Sequence, residues 1–164
     1  MTQNENLLLA VLNSSPVTDG QIEDRLEGAS GSTFARQWGG TGSDRELAHL
    51  RRTRDALHSL VRGDASVLPE LAQIVDGAVH APRVTADGVV WELQAPDDDR
   101  LAVGTVLAWS EVNSRLPGRL RPCANDECNL FLVDHSRPGT ARWCSMATCG
   151  NRMKARAYAM RARA

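Results

Sequence analysis

Apolar side chains recur at helical spacing through most of the first 117 residues, and the period switches once to strand-like alternation. The dense cluster Leu7, Leu8, Leu9, Val11 and Leu12 predicts a largely buried helix over 5–13, ending near Asn13 to Pro16. Two shorter helices are expected over 19–26 and 33–38, the second closed by Gly39-Gly40. The best-signalled helix starts at Ser43-Asp44-Arg45-Glu46, which has the capping-box form. Leu47, Leu50, Leu57 and Val61 carry it forward at helical spacing until Gly63 stops it. A further helix is expected over 67–76, with Pro69 in its first turn and Gly77 just past its end.

The alternation then changes. Residues 83–85, the turn Ala86-Asp87-Gly88 and residues 89–93 read as a β-hairpin, Asp-Gly supplying the positive φ angles of the turn. Pro96 and the run Asp97-Asp98-Asp99 precede a helix over 100–115, where three carboxylates suit the positive end of its dipole. Pro117-Gly118 ends it. Beyond lie short strands at 120–122 and 130–133, a turn at 137–140 and a returning strand at 141–143. Ser145 is the expected N-cap of a terminal helix over 146–160, with Met153, Ala157 and Met160 as its packing face.

Charge divides the chain in two. Residues 1–114 hold nine Arg against 17 acidic residues, whereas residues 115–164 hold ten basic against three acidic, with no acid after Asp134. The basic tail is the candidate for phosphate backbones. The four cysteines lie in the same tail as Cys123-x4-Cys128 and Cys144-x4-Cys149. Two close pairs across a hairpin-sized spacer let four thiolates converge tetrahedrally, the arrangement that selects Zn2+. Two disulfides would need an export signal and an oxidising compartment. Residues 1–6 are polar, with Glu5 where a signal would carry Lys or Arg, and the apolar run 7–12 is too short for a signal or a membrane span. A cytoplasmic location is expected.

Nothing in the front half looks catalytic. His49 and His58 lie nine apart on one helix and so on opposite faces, and His80 stands alone; each reads as a surface or partly packed imidazole. The run 97–99 reads as a solvated cap rather than a metal site. There is no G-x-G-x-x-G, P-loop, G-x-S-x-G or H-E-x-x-H pattern. His135 is the one rival to the cysteines as a ligand and reads as a hairpin residue.

Arg142-Trp143-Cys144-Ser145-Met146 followed by Cys149-Gly150-Asn151-Arg152-Met153-Lys154 resembles the signature of the CGNR zinc-finger proteins. Arg121, Phe131 and Asp134 before Ser136 extend the likeness, and Leu12-Asn13, Asp24-x-Leu26 and Trp38 carry it more weakly into the front half. The resemblance implies an α-helical ABATE domain ahead of the finger and a stress-induced transcription regulator, with the four cysteines as ligands and Arg152 and Lys154 as DNA contacts. Within the signature, Gly150 would leave room near the metal, Asn151 would brace the knuckle, and Arg152 would either pair with Asp134 or reach a phosphate, the internal pair being favoured.

The expected architecture is mainly α (α+β): a helical domain over 1–117 with a small β-hairpin insert, then a treble-clef-like zinc finger with a basic C-terminal helix over 118–164. One structural zinc is expected on Cys123, Cys128, Cys144 and Cys149. Arg142, Arg152, Lys154, Arg156, Arg161 and Arg163 are the expected nucleic-acid contacts. The expected function is a DNA-binding regulator whose front domain senses or dimerises, so DNA, an effector (a small molecule or protein) and a second copy of the chain are the expected partners, and a membrane is not. The alternative is a protein- or ligand-binding module in which zinc only folds the tail. An enzyme is not expected, because four thiolate ligands leave a zinc ion no open position.

Overall fold

The first helix, α1 (Gln3–Leu12), begins where the Thr2 hydroxyl accepts the amide of Glu5 at 3.2 Å. In this computed structural model, which describes residues 2–162, α1 packs against α3 (Asp44–Val61) and α5 (Arg100–Arg115). Leu8 and Leu12 of α1, Ala56 and Leu57 of α3, and Val106, Ala108 and Val112 of α5 form one buried cluster with Leu71 of α4 (Leu68–Val75). A second cluster joins Val11, Leu26, Leu47, Leu50 and Leu101 to Ala35 of α2 (Gly28–Gln37). Each fully buried Leu contributes about 1.5–3 kcal/mol, so these two clusters rather than helix propensity hold the bundle. The fold is mainly α, with three small two-stranded sheets among the described residues.

The start of α3 forms as its signal requires, with one shift of partner. The Ser43 hydroxyl accepts the Glu46 amide at 3.1 Å. The Glu46 carboxylate, fully buried, reaches past the N-cap to accept the Gly42 amide at 2.7 Å. Asp98 accepts from the hydroxyls of Thr41 (2.6 Å) and Ser43 (2.7 Å), and Asp99 faces His49 Nδ1 at 2.5 Å. The acidic run makes no side-chain cap for its own helix, contrary to expectation; it ties the start of α5 to the start of α3 instead.

Three expectations about the front half are corrected. Residues 17–22 form a tight hairpin, β1 (Val17–Thr18) and β2 (Gln21–Ile22), where a helix over 19–26 was expected. Asp19 and Gly20 take φ of 51° and 76°, the consecutive left-handed pair that closes a two-residue hairpin. Helix α2 starts at Gly28 rather than 33; its first residues include two Gly and two Ser, so no propensity marks it, and the burial of Gly31 and Ala35 makes it. The second hairpin, β3 (Val79–Thr85) and β4 (Gly88–Gln94), is longer than expected and turns through Ala86-Asp87, with a positive φ (130°) only at Gly88.

His58 is also corrected: it is buried, not superficial. Its Nε2–H donates to the Leu12 carbonyl at 2.7 Å, and its ring lies on Phe131 with centroids 4.4 Å apart. Burial, helped by the nearby Arg62 and Arg54 charges, lowers its pKa to about 4. The unfolded chain therefore binds a proton between pH 6.5 and 4 that the folded chain refuses, and stability present above the unfolded value drains as pH falls through that window. The expected loss is up to about 3 kcal/mol by pH 4. Denaturant titrations at a series of pH values check this against a His58→Gln variant, whose profile should be flatter between pH 4 and 6.5; parallel profiles would contradict it.

The chain leaves α5 at Arg115 and enters a third hairpin, β5 (Leu120–Pro122) paired with β6 (Phe131–Val133). Phe131 is 1 % exposed and belongs to the main helical cluster. Asn13, at the end of α1, accepts the Phe131 amide at 2.7 Å and donates to its carbonyl at 3.2 Å, extending the ladder by side chain. Arg62 lies over the same ring at 4.5 Å and donates to Asn129, which in turn donates to the Ser15 carbonyl. His135 pairs with Glu5 at 2.6 Å. The C-terminal segment is thus seated on the end of α1.

Candidate metal centre

The strands β5 and β6 meet at a tight loop that presents Cys123 and Cys128. The Cys123 amide donates to the Leu130 carbonyl and the Cys128 amide to that of Asn125, both at 2.8 Å, which fixes the curl of the loop. The second pair arrives from a segment without the expected strand at 141–143. That stretch is attached instead through the Ala124 amide, which donates to the Arg142 carbonyl at 2.8 Å, and through Asp134. The Asp134 side chain is fully enclosed and accepts from the Ser136 amide (2.8 Å) and hydroxyl (2.6 Å) and from the Ala141 amide (3.0 Å). One carboxylate therefore closes the loop that a β ladder was expected to hold. Arg119 and Arg121 lie 3.6 and 3.7 Å from it, and these, not Arg152, are its cationic neighbours.

The terminal helix opens without the expected side-chain cap. The Ser145 carbonyl instead accepts the Gly150 amide at 3.0 Å across a wide turn, Met146–Gly150, and α6 (Asn151–Arg161) follows. That turn is helical and runs without a break into α6, so Cys149 lies one turn into the helical stretch that starts at Met146, as expected. A Cβ at Gly150 would come within 2.8 Å of Met146 Sδ and 3.2 Å of Trp143 Cδ1, so a larger residue there would push the flexible Met146 side chain aside. Asn151 donates to the Ala147 carbonyl of its own turn. The brace expected of it comes from Asn125, 1 % exposed, whose amide points at Cys149 Sγ at 3.5 Å. An Asn two places after a ligand cysteine was the available signal for this contact.

All four Sγ atoms lie within 4.8 Å of one another, and all four cysteines are free thiols. Cys144 Sγ is 3.7 Å from both Cys128 Sγ and Cys149 Sγ. Four sulfurs at about 2.3 Å from a central Zn2+ stand about 3.8 Å apart at tetrahedral angles, so the spacing fits the ion, whereas a disulfide needs about 2.05 Å. Without a cation two of these thiols resist ionisation. Burial pushes the Cys128 thiol up to about 11 and raises Cys144 too; at Cys149 burial also opposes ionisation, but the Asn125 amide and neighbouring thiols outweigh it and lower the pKa. The cluster fits a single zinc ion bound by Cys123, Cys128, Cys144 and Cys149, and zinc uptake releases protons because the bound form is thiolate.

The basic side chains are placed around this centre unequally. Arg142 stacks on Trp143 with its guanidinium 5.1 Å from the ring centre. Arg156 pairs with Glu127 at 2.6 Å in an exposed bridge. Arg152, Lys154 and Arg161 make no ion pair with any carboxylate among the described residues, Arg161 donating to the Ala157 carbonyl instead. Arg163 lies outside the described residues. Of the expected packing face of the terminal helix only Met153 is partly covered: α6 has no fully buried residue, and Tyr158 and Met160 are each about three-quarters exposed.

Residues 119–163 match the CGNR zinc finger family. The match spans all four cysteines and α6, and it begins one residue before β5. No curated protein matches the chain. Among the described residues, no helix is long and apolar enough to cross a membrane.

Proposed function

We propose that this zinc-binding protein is a DNA-binding transcriptional regulator, with α6 as its nucleic-acid contact and the front half, read as an ABATE-like domain over 1–117, as a sensing unit. The observation that carries the reading is α6 itself: an exposed helix that fully buries no residue, stands on a metal-fixed base, and bears Arg152, Lys154 and Arg161 without acidic partners among the described residues. A rigid base lets such a helix enter a groove without first ordering itself, and the free cations replace counterions on phosphates. Arg156 is the weaker contact, because its bridge to Glu127 must open first. The zinc is structural and closed to water, so no catalytic role is assigned to it.

The alternative, a ligand-binding module with a purely structural metal, is favoured by a cavity of about 200 Å3 among α3, α4, α5 and the base of the β3–β4 hairpin. His49, Arg52, Asp76 and Asp99 supply its polar groups, and Ile74 and Val103 part of its apolar wall. It suits a small polar effector rather than a drug-sized ligand.

The two readings separate in a DNA titration across salt concentrations. The protein should bind duplex DNA with an affinity that falls steeply with salt. The Lys154→Ala, Arg161→Ala double variant, zinc content unchanged, should lower the slope of log K against log salt by about 2. No binding at low salt would overturn the proposal and leave the cavity as the functional feature.

A further inference from the structure

The register of the β3–β4 hairpin sorts its side chains into two unlike faces. Cross-strand pairs alternate, so Val84/Val89, Pro82/Trp91 and His80/Leu93 share one face, while Arg83/Val90, Ala81/Glu92 and Val79/Gln94 share the other. The second face is mixed: Val79 and Val90 lie on it beside the hairpin's charged groups, Arg83 and Glu92, which are paired at 2.6 Å. The first is almost wholly apolar and carries no fixed charge. Its outer residues stand in solvent: Val84 is 81 %, Trp91 66 % and Val89 57 % exposed. Alternation of this kind marks a sheet with one face buried, and here the face that the pattern assigns to a core has none beneath it. The hairpin's support from its own chain comes mainly from α5 beside the base of β4. A two-stranded ribbon without packing is marginal in water, so the element is incomplete as it stands.

We infer that this face is the dimerisation surface of the protein, occupied by the same face of a second copy across a two-fold axis. Three features select a second copy over a different protein. The face holds no fixed charge, so bringing it onto itself sets no like charges together. A twisted ribbon stacks on its own copy as two aligned sheet layers. The exposed apolar surface is that of a few side chains, Val84, Val89 and Trp91 foremost, which suits a weak dimer rather than an obligate one. Pro82 lies within β3 opposite Trp91 and removes a donor from that strand, which discourages growth of the sheet by edge pairing and leaves face packing as the mode. The inference does not rest on nucleic-acid binding.

Sedimentation equilibrium of the zinc-loaded full chain tests it, over loading concentrations from about 1 to about 500 μM, a span that brackets the Kd expected of an interface this size. The natural sequence should pass from monomer to dimer, and the dimer should tighten with added sodium chloride, as apolar contact does and charge pairing does not. Val84→Lys and Trp91→Lys change solvent-exposed positions, so zinc content and helical circular dichroism should be unchanged while Kd rises at least tenfold. Glu92→Gln, on the opposite face, should leave Kd within twofold. A monomer throughout the range overturns the inference and assigns the face to some other partner. So does a dimer that both lysine variants retain.

Discussion

Cys149→Ser should purify without zinc and with residues from about 118 onward unfolded. A serine hydroxyl is a poor substitute for thiolate, and three thiolates in this crowded site lack the fourth that closes the tetrahedron. Apart from the docking of Phe131, Asn129 and His135 on the helical half, the segment has little else to hold it. Its strands β5 and β6 are three residues each, and α6 has no buried side chain. Structural zinc contributes on the order of 10 kcal/mol or more to modules of this kind, well beyond what those elements supply. The helical clusters around Leu8, Leu57 and Val106 should persist in weakened form, since they lose the support of Phe131 but keep their own contacts. Metal analysis and limited proteolysis read the outcome. One zinc per chain in the variant, or a tail as protease-resistant as in the natural protein, would contradict the ligand assignment.

Phe131→Ala should destabilise the whole molecule by about 3–5 kcal/mol, as expected for truncating a fully buried aromatic. The ring fills the junction between the tail and the helical cluster, lies against His58, and is covered by Arg62. Its backbone bonds to Asn13 would survive the substitution, so the register of the docking should be kept while the packing is lost. Against the usual 5–15 kcal/mol of total stability this is a large fraction. Denaturant unfolding should show the midpoint of the helical signal shifting, not only that of the tail. A change below about 1 kcal/mol would mean that the two parts unfold independently and that Phe131 serves the finger alone.

What could be read from the sequence was what local chemistry dictates. The capping signal at Ser43, the helix across 100–115 and the cysteine spacing each depend on neighbours within a few residues, and each appears where expected. The failures have three physical sources. Asp19-Gly20 and Asp87-Gly88 carry the same dipeptide, but only the second stood between strand-like runs, so the first hairpin was read as helix. Residues 141–143 were expected to return as a strand after the turn at 137–140; a single buried carboxylate, Asp134, satisfied the amides instead. The third source is long-range docking. Asn13, His58, Asn129 and Phe131 are polar or aromatic residues with no local signature, and their roles exist only once α1 and α3 meet β6.

The candidate site followed the same division. Spacing alone brought the four thiols together on paper, because close pairs across a hairpin can converge in few ways. It could not give the first turn of the terminal helix its wide form, nor give Asp134 to Arg119 and Arg121, since both depend on how that turn and the loop settle around the sulfurs. The sparse packing of the terminal helix was not legible either: Met153, Ala157 and Met160 have the spacing of a buried stripe, and only Met153 is partly covered.

Elemental analysis of freshly purified, chelator-free protein, combined with titration of its reactive thiols, tests the central claim most directly. One zinc per chain should be found, with the four thiols shielded until a strong chelator removes the ion and then reacting together. Protein without stoichiometric metal, or with its thiols joined in two disulfides, would contradict it.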